Sequence, residues 1–239
     1  MRLDDVRVLP AGEAAILLEF GREIDIAVNM RVQRAARAFL TDPPPGVTGV
    51  IPAYTTVLVE FDPLTTSAED LADHLSRLEE TPEEAPPRRF LIPTRYGGEE
   101  GPDLQELSDR LGMSPEAVVK LHTSQDYRIF CLGFSPGFPL AGVLPDALVT
   151  PRRPSPRPRV PAGSVGLAGR QTGVYPSASP GGWQLIGRSP VPLFNLDRTP
   201  PVPYGPGDLL RFVDIGPDEL RRLEGEARRG RLSLEEAAP

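Results

Sequence analysis

Positive charge is gathered in one part of this sequence. Between His122 and Arg188 stand seven arginines (Arg128, Arg152, Arg153, Arg157, Arg159, Arg170 and Arg188) against two aspartates (Asp126 and Asp146), with no Lys or Glu. That leaves a local charge of about +5 in a chain of 239 residues whose formal net charge is -7, so the remainder sums to about -12. Charge focused in this way raises the local concentration of anions. Guanidinium forks also match carboxylate and phosphate oxygens in shape. The chemistry to expect is the holding of a small anion.

Single residues in this stretch suggest roles. Histidine has an unperturbed pKa near neutrality, so His122 could move a proton. It also ends a helical pattern, where the helix dipole alone would favour an imidazolium. Tyr127 and Arg128 follow on a strand-like run, and alternation sends them to opposite faces. The segment PRRPSPRPRVP is either a polyproline helix offered to an aromatic groove or a proline-stiffened loop that holds Arg152, Arg153, Arg157 and Arg159 over a pocket. Pro161, Gly163 and Ser164, then Gln171 and Thr172, stand at glycine turns where backbone amides could approach an anion. Tyr175 and Trp183 are amphipathic, and Trp183, the only tryptophan, serves equally as core or as stacking surface. Phe134, Gly137 and Phe138 join the same candidate lining. The working assignment makes His122 and Arg153 catalytic and lets Arg153, Arg157 and Arg188 hold carboxylate or phosphate.

The composition excludes several classes. Lysine occurs once, at Lys120, and Leu121 follows it, so no Gly-Lys-Ser/Thr phosphate loop is present. Lys120 lies in the helical SPEAVVKLH, whereas a biotin carrier needs its lysine in a hairpin turn. The single cysteine, Cys131, sits in an apolar strand and reads as a buried structural thiol. Two distant histidines, His74 and His122, make no metal-ligand spacing, and no metal is expected. No apolar run reaches the roughly 20 residues that span a bilayer, and the N-terminus lacks a signal pattern, so a cytoplasmic location is the expectation.

The elements that must carry these residues fall into two groups. Residues 1–80 read as ββαββα, an α+β layer pair, with strands at 6–9, 14–20, 47–53 and 56–61. A first helix starts at Asp25 with Val28, Val32, Ala35, Ala36 and Phe39 on one face. A second is capped by Ser67 and Asp70 and carries a stripe of Leu71, Leu75 and Leu78. EETPEEAPP (79–87) marks a stiff acidic stretch, with the linker at 81–87. Residues 88–216 read as a mainly-β barrel domain, with a strand from Arg89, short helices at 103–111 and from Ser114 to His122, and strands and turns thereafter. The Pro- and Gly-rich composition does not signal disorder, because strand-like apolar runs are interleaved with it. Residues 217–239 read as a surface helix and fraying tail.

Seven ordered blocks carry a resemblance. They are IPAYTTVLVEFDP (51–63), YGGEEGPDL (96–104), LHTSQDYRIFCLGFSPGFPLAG (121–142), PRRPSPRPRVPAGSVGLAGRQTGVYP (151–176), SPGGWQLIGRSP (179–190), LFNLDR (193–198) and PGDLLRF (206–212). Through them the chain resembles the 5-oxoprolinase B-subunit family, also named allophanate hydrolase subunit 1 or sporulation kinase inhibitor, within the carboxyltransferase domain subfamily C/D. Ala141 departs from the Gly or larger residue usual at its place. The resemblance implies a cyclophilin-like barrel and a heteromeric complex whose other members are a carboxyltransferase-like C subunit, with a carboxyltransferase domain, and an A subunit of another fold. It further implies ATP-driven opening of 5-oxo-L-proline to L-glutamate, with the ATP site on this chain, on a partner or shared. Two other functions stand beside it: inhibition of a sensor histidine kinase, and one half of a biotin-dependent urea or allophanate carboxyltransferase or hydrolase.

Overall fold

The structure is a computed structural model and describes residues 6–77 and 86–237. The chain divides into two compact units, Met1–Pro86 and Pro87–Pro239. Of the expected linker only Pro86 and Pro87 are described, and Leu78 lies outside the described residues.

The first unit is the expected ββαββα. Strands β1 (Arg7–Pro10), β2 (Ala15–Glu19), β3 (Val47–Pro52) and β4 (Thr56–Phe61) form an antiparallel sheet in the order β1-β2-β4-β3. Alternation sets its inner face: Ile16 lies opposite Val59 and Leu18 opposite Val57, all four fully covered. Helix α1 (Ile26–Thr41) starts where the Asp25 carboxylate accepts the Val28 amide, and buries Val32, Ala35, Ala36 and Phe39. Helix α2 (Ala68–Arg77) opens with the reciprocal cap expected from sequence: Ser67 Oγ accepts the Asp70 amide and an Asp70 oxygen accepts the Ser67 amide.

The second unit is a closed seven-stranded barrel. Its strands are β5 (Arg89–Tyr96), β6 (Tyr127–Leu132), β7 (Pro139–Gly142), β9 (Ser164–Ala168), β10 (Gln171–Val174), β12 (Gln184–Arg188) and β13 (Leu209–Asp214). They run β12-β9-β10-β7-β6-β13-β5, and β5 closes on β12 through Tyr96 opposite Gly187. The side ribbon pairs β8 (Arg157–Val160) with β11 (Ser179–Gly181). Between β5 and β6 lie helices α3 (Leu104–Leu111) and α4 (Pro115–His122). Gly112 ends α3 with a positive φ, and the Ser114 hydroxyl caps α4 through the Ala117 amide.

The C-terminal segment forms its expected helix and differs in the tail that follows. Helix α5 (Pro217–Arg228) buries Leu220 and Leu223, and β14 (Glu235–Ala237) then pairs with the first residues of β5. Segment 217–237 is thus an integral part of the second unit. A three-residue strand gives too little alternation to be read in advance. Among the described residues no helix is long and apolar enough to cross a membrane.

Candidate functional site

The arginine loop is held against the barrel wall. The Arg153 amide donates to Gly182 O at 2.7 Å, and Gln184 Nε2 donates to Pro151 O at 3.1 Å. Arg157 begins β8, which pairs with β11. A free polyproline ribbon is therefore not what this segment forms. Both key side chains meet a residue outside the cationic stretch. Asp103 Oδ1 accepts from Arg153 Nη1 at 2.9 Å and from Arg157 Nη2 at 2.6 Å, while Oδ2 accepts the Leu185 amide at 2.6 Å.

Asp103 reaches this place because the chain before α3 lies almost on strand β12. The Asp103 amide donates to Leu185 O at 2.9 Å, so Asp103 and Leu185 exchange hydrogen bonds in both directions. Two residues earlier, a Cβ on Gly101 would stand 2.0 Å from Ile186 O, a contact only glycine permits.

An aromatic cluster stands beside the loop. Phe138, Tyr175 and Trp183 are each at most 5% exposed and meet edge to face, with centroids 5.0 Å (Phe138–Tyr175) and 5.5 Å (Phe138–Trp183) apart. Trp183 is thus core to this cluster and not an open stacking surface. Burial raises the Tyr175 phenol pKa, against which a hydrogen bond from the Trp183 backbone and the nearby Arg152 and Arg157 act. Phe134, 66% exposed, tops the cluster with its ring 5.5 Å from that of Phe138. It is the centre of a three-residue turn in which the Ser135 amide donates to Gly133 O, and its φ of 66° is the one positive value at a non-glycine residue among those described. Such turns are rare and strained for an L side chain.

His122, expected as a general base, occupies a different environment. The imidazole is fully covered, stacked on Tyr127 at 5.3 Å and packed on Phe212 at 4.4 Å. Its Nδ1 lies 2.8 Å from the Tyr96 hydroxyl and its Nε2 lies 2.8 Å from Thr172 Oγ1. Thr172 Oγ1 donates onward to Gly166 O. One proton arrangement uses every group once: Tyr96 donates to Nδ1, Nε2–H donates to Thr172, and Thr172 donates to the carbonyl. Burial lowers the His122 pKa to about 3. The imidazole has no exposed surface, and both of its ring nitrogens are hydrogen-bonded within the barrel wall. Tyr127 joins this network, its hydroxyl donating to His122 O.

The remaining candidates are scattered. Arg188 donates to Glu224 at 2.6 Å and borders a cleft of about 310 Å³ with Gly163, Ser189 and Arg228. Gly163, at φ 82°, lets its chain touch Ser189 O, which a Cβ would meet at 2.2 Å. Ser164 is buried at the start of β9 and Arg128 is buried on β6, whereas Pro161 and Arg152 are exposed, Gln171 is half-buried, and Gly137 is buried in the turn before Phe138. The structure brings together Arg153, Arg157, Tyr175, Trp183, Phe138 and Phe134, and separates His122, Tyr127 and Thr172 from them. Asp103 and Glu224 are not evident from the sequence, because both lie in its acidic remainder, outside the cationic stretch whose arginines they meet. The Cys131 thiol, with burial pushing its pKa up to about 11, is inert as a nucleophile.

Known proteins are similar to this chain over most of its length. Residues 6–204 match the family described as carboxyltransferase domain, subdomain C and D. The chain is 40% identical to the 5-oxoprolinase B subunit of Bacillus subtilis over 90% of its own length and 95% of that protein's. It is 44% identical to the 5-oxoprolinase B subunit of Escherichia coli O157:H7 over 84% of its length and 93% of that protein's. A crystallised protein, TTHA0988, superimposes with a TM-score of 0.76 at 42% identity; 85% of this chain is covered, but only 40% of that one. The chain belongs to the carboxyltransferase-domain family of subdomains C and D, in the branch that holds the B subunits of 5-oxoprolinase.

Proposed function

We propose that this chain is one subunit of a cytoplasmic, heteromeric complex that opens 5-oxo-L-proline to L-glutamate with hydrolysis of ATP. The observation that carries the reading is identity of 40–44% to 5-oxoprolinase B subunits along nearly their whole length. The geometry fits it in one respect. 5-Oxoproline is a small carboxylate, and Arg153 and Arg157 form a partly exposed cationic edge on a rigid wall. Arg152 and the exposed Phe134 flank that edge, so a flat lactam ring would lie against Phe134 while its carboxylate meets guanidinium. The barrel is of the cyclophilin-like kind, and the companions are a C subunit with a carboxyltransferase domain and an A subunit of another fold.

The guanidiniums of the Arg152–Arg157 loop are also the groups able to meet phosphoryl oxygens. ATP would phosphorylate the lactam oxygen with release of ADP; water would then add to the carbonyl carbon, and loss of phosphate with cleavage of the C–N bond would give glutamate. This chain's part is to bind the anion and hold the ring. His122 takes no part in proton transfer here and serves the barrel. The family match gives some weight to a second reading, carboxyl transfer to a urea-like amide with biotin carried by another protein. Mixing the chain with the A and C subunits, ATP and 5-oxo-L-proline should yield glutamate and ADP in equal amounts. A mixture that forms neither, yet carboxylates urea once a biotinylated protein is added, would favour the second reading.

A further inference from the structure

We infer that Asp103 is a positioning residue that turns Arg153 and Arg157 into a two-pronged clamp for the oxyanion of one ligand. The inference deepens the reading above and rests on it for the identity of that ligand. Asp103 is 3% exposed, and its two oxygens accept three hydrogen bonds. One arginine would balance its charge. The second leaves the cluster with a surplus positive charge, and the other carboxylate near Arg153, that of Glu106, is 4.0 Å away and 70% exposed. A solvated group at that distance neutralises little.

The donor count points the same way. Arg153 Nε and Arg157 Nη1 are covered and have no acceptor. Covered N–H groups without partners are rare in folded proteins and cost stability. The fold tolerates two of them to seat both guanidiniums on one carboxylate oxygen. The rest of each side chain stays open, Arg153 being 30% and Arg157 24% exposed. Because both lean on the same oxygen, and the Arg153 amide is pinned to Gly182 O, the two outward edges are fixed relative to each other. Two fixed planar forks suit a single carboxylate or phosphoryl group bridging them. Less side-chain entropy then remains to be lost on binding.

The only tryptophan reports on this place. Trp183 lies between Gly182, which holds the loop, and Leu185, which holds Asp103. The full chain is titrated with 5-oxo-L-proline and, separately, with inorganic phosphate, following Trp183 fluorescence and heat of binding. Saturation by either anion is expected, and the arm that saturates identifies carboxylate or phosphoryl as the ligand group. Arg157→Lys, which keeps the charge but loses the fork, should weaken that binding about 10- to 100-fold. The sign of the Asp103→Asn effect separates positioning from bulk charge. Removing the carboxylate raises the positive charge of the cluster, so a purely electrostatic site would bind anions more tightly, whereas a positioned clamp binds them more weakly. Tighter binding by Asp103→Asn, unchanged binding by Arg157→Lys, or no saturation of the wild type by either anion overturns the proposal. An assembled complex that turns over normally with Arg157→Lys sinks the clamp and spares the 5-oxoprolinase reading. Arg157-dependent binding in a chain whose complex makes no glutamate does the reverse.

Discussion

Two polar clusters in the barrel unit answer burial in opposite ways. Around His122 a chain from Tyr96 through the imidazole to Thr172 and Gly166 O gives each donor one acceptor, carries no charge and is buried throughout. Around Asp103 two guanidiniums crowd one carboxylate, two N–H groups lack acceptors, and both arginine side chains remain partly open. Both contain residue types that catalysts use. What separates them is the count of donors and acceptors: a matched set marks structure, and a surplus at a surface marks a place made for something else.

The contrast can be broken by experiment, and the largest effect belongs to Asp103. Asp103→Ala leaves two neighbouring guanidiniums without their carboxylate and the Leu185 amide without an acceptor, and should lower the unfolding free energy by about 3–4 kcal/mol in urea titration. A loss near zero would mean that the cluster is already balanced by solvent. Acid acts next, through His122. The native imidazole stays neutral down to about pH 3, whereas in the unfolded chain it takes a proton below its ordinary value near 6.5. The unfolded state thus binds more protons, and stability falls as pH falls through this window. Between pH 6.5 and 5 this one group should remove about 2 kcal/mol, a slope missing from His122→Gln. Equal slopes in the two proteins would place solvent at the imidazole.

Thr172→Val takes away the acceptor for Nε2–H at nearly constant volume and should cost about 1–2 kcal/mol. Ligand binding at the Asp103 cluster should not change, as titration of the variant would show. The smallest effect is expected at Phe134. Glycine adopts φ 66° without strain and little buried area is lost, so Phe134→Gly should shift stability by less than about 1 kcal/mol in either direction. If the exposed ring serves a ligand, the same variant weakens 5-oxoproline binding while stability holds.

The sequence is most legible where structure is local. β4 has the ends its pattern predicts, because Val57, Val59 and Phe61 alternate, and β6 fills the strand-like run that starts at Tyr127. The caps at Asp25, Ser67 and Ser114 follow from side chains that satisfy amides three residues away. Barrel closure between Tyr96 and Gly187, and the bond from Arg157 to Asp103, join residues far apart in the chain and leave no periodic trace. His122 shows the limit most plainly. Its position at a helix end is readable, but not that the ring turns inward to Tyr96 and Thr172, which depends on how β5 and β10 come together. The return of the C-terminal segment to β5 as β14 is hidden for the same reason.

The most direct measurement compares two variants in one assay. The chain, carrying either Arg157→Lys or Thr172→Val, is assembled with the A and C subunits, and glutamate formation from 5-oxo-L-proline and ATP is followed at a temperature where both variants are folded. Wild-type turnover is expected for Thr172→Val, and a loss of about tenfold or more for Arg157→Lys. Full activity in Arg157→Lys together with loss in Thr172→Val would place the chemistry at His122 and contradict the assignment of the Asp103 cluster as the site.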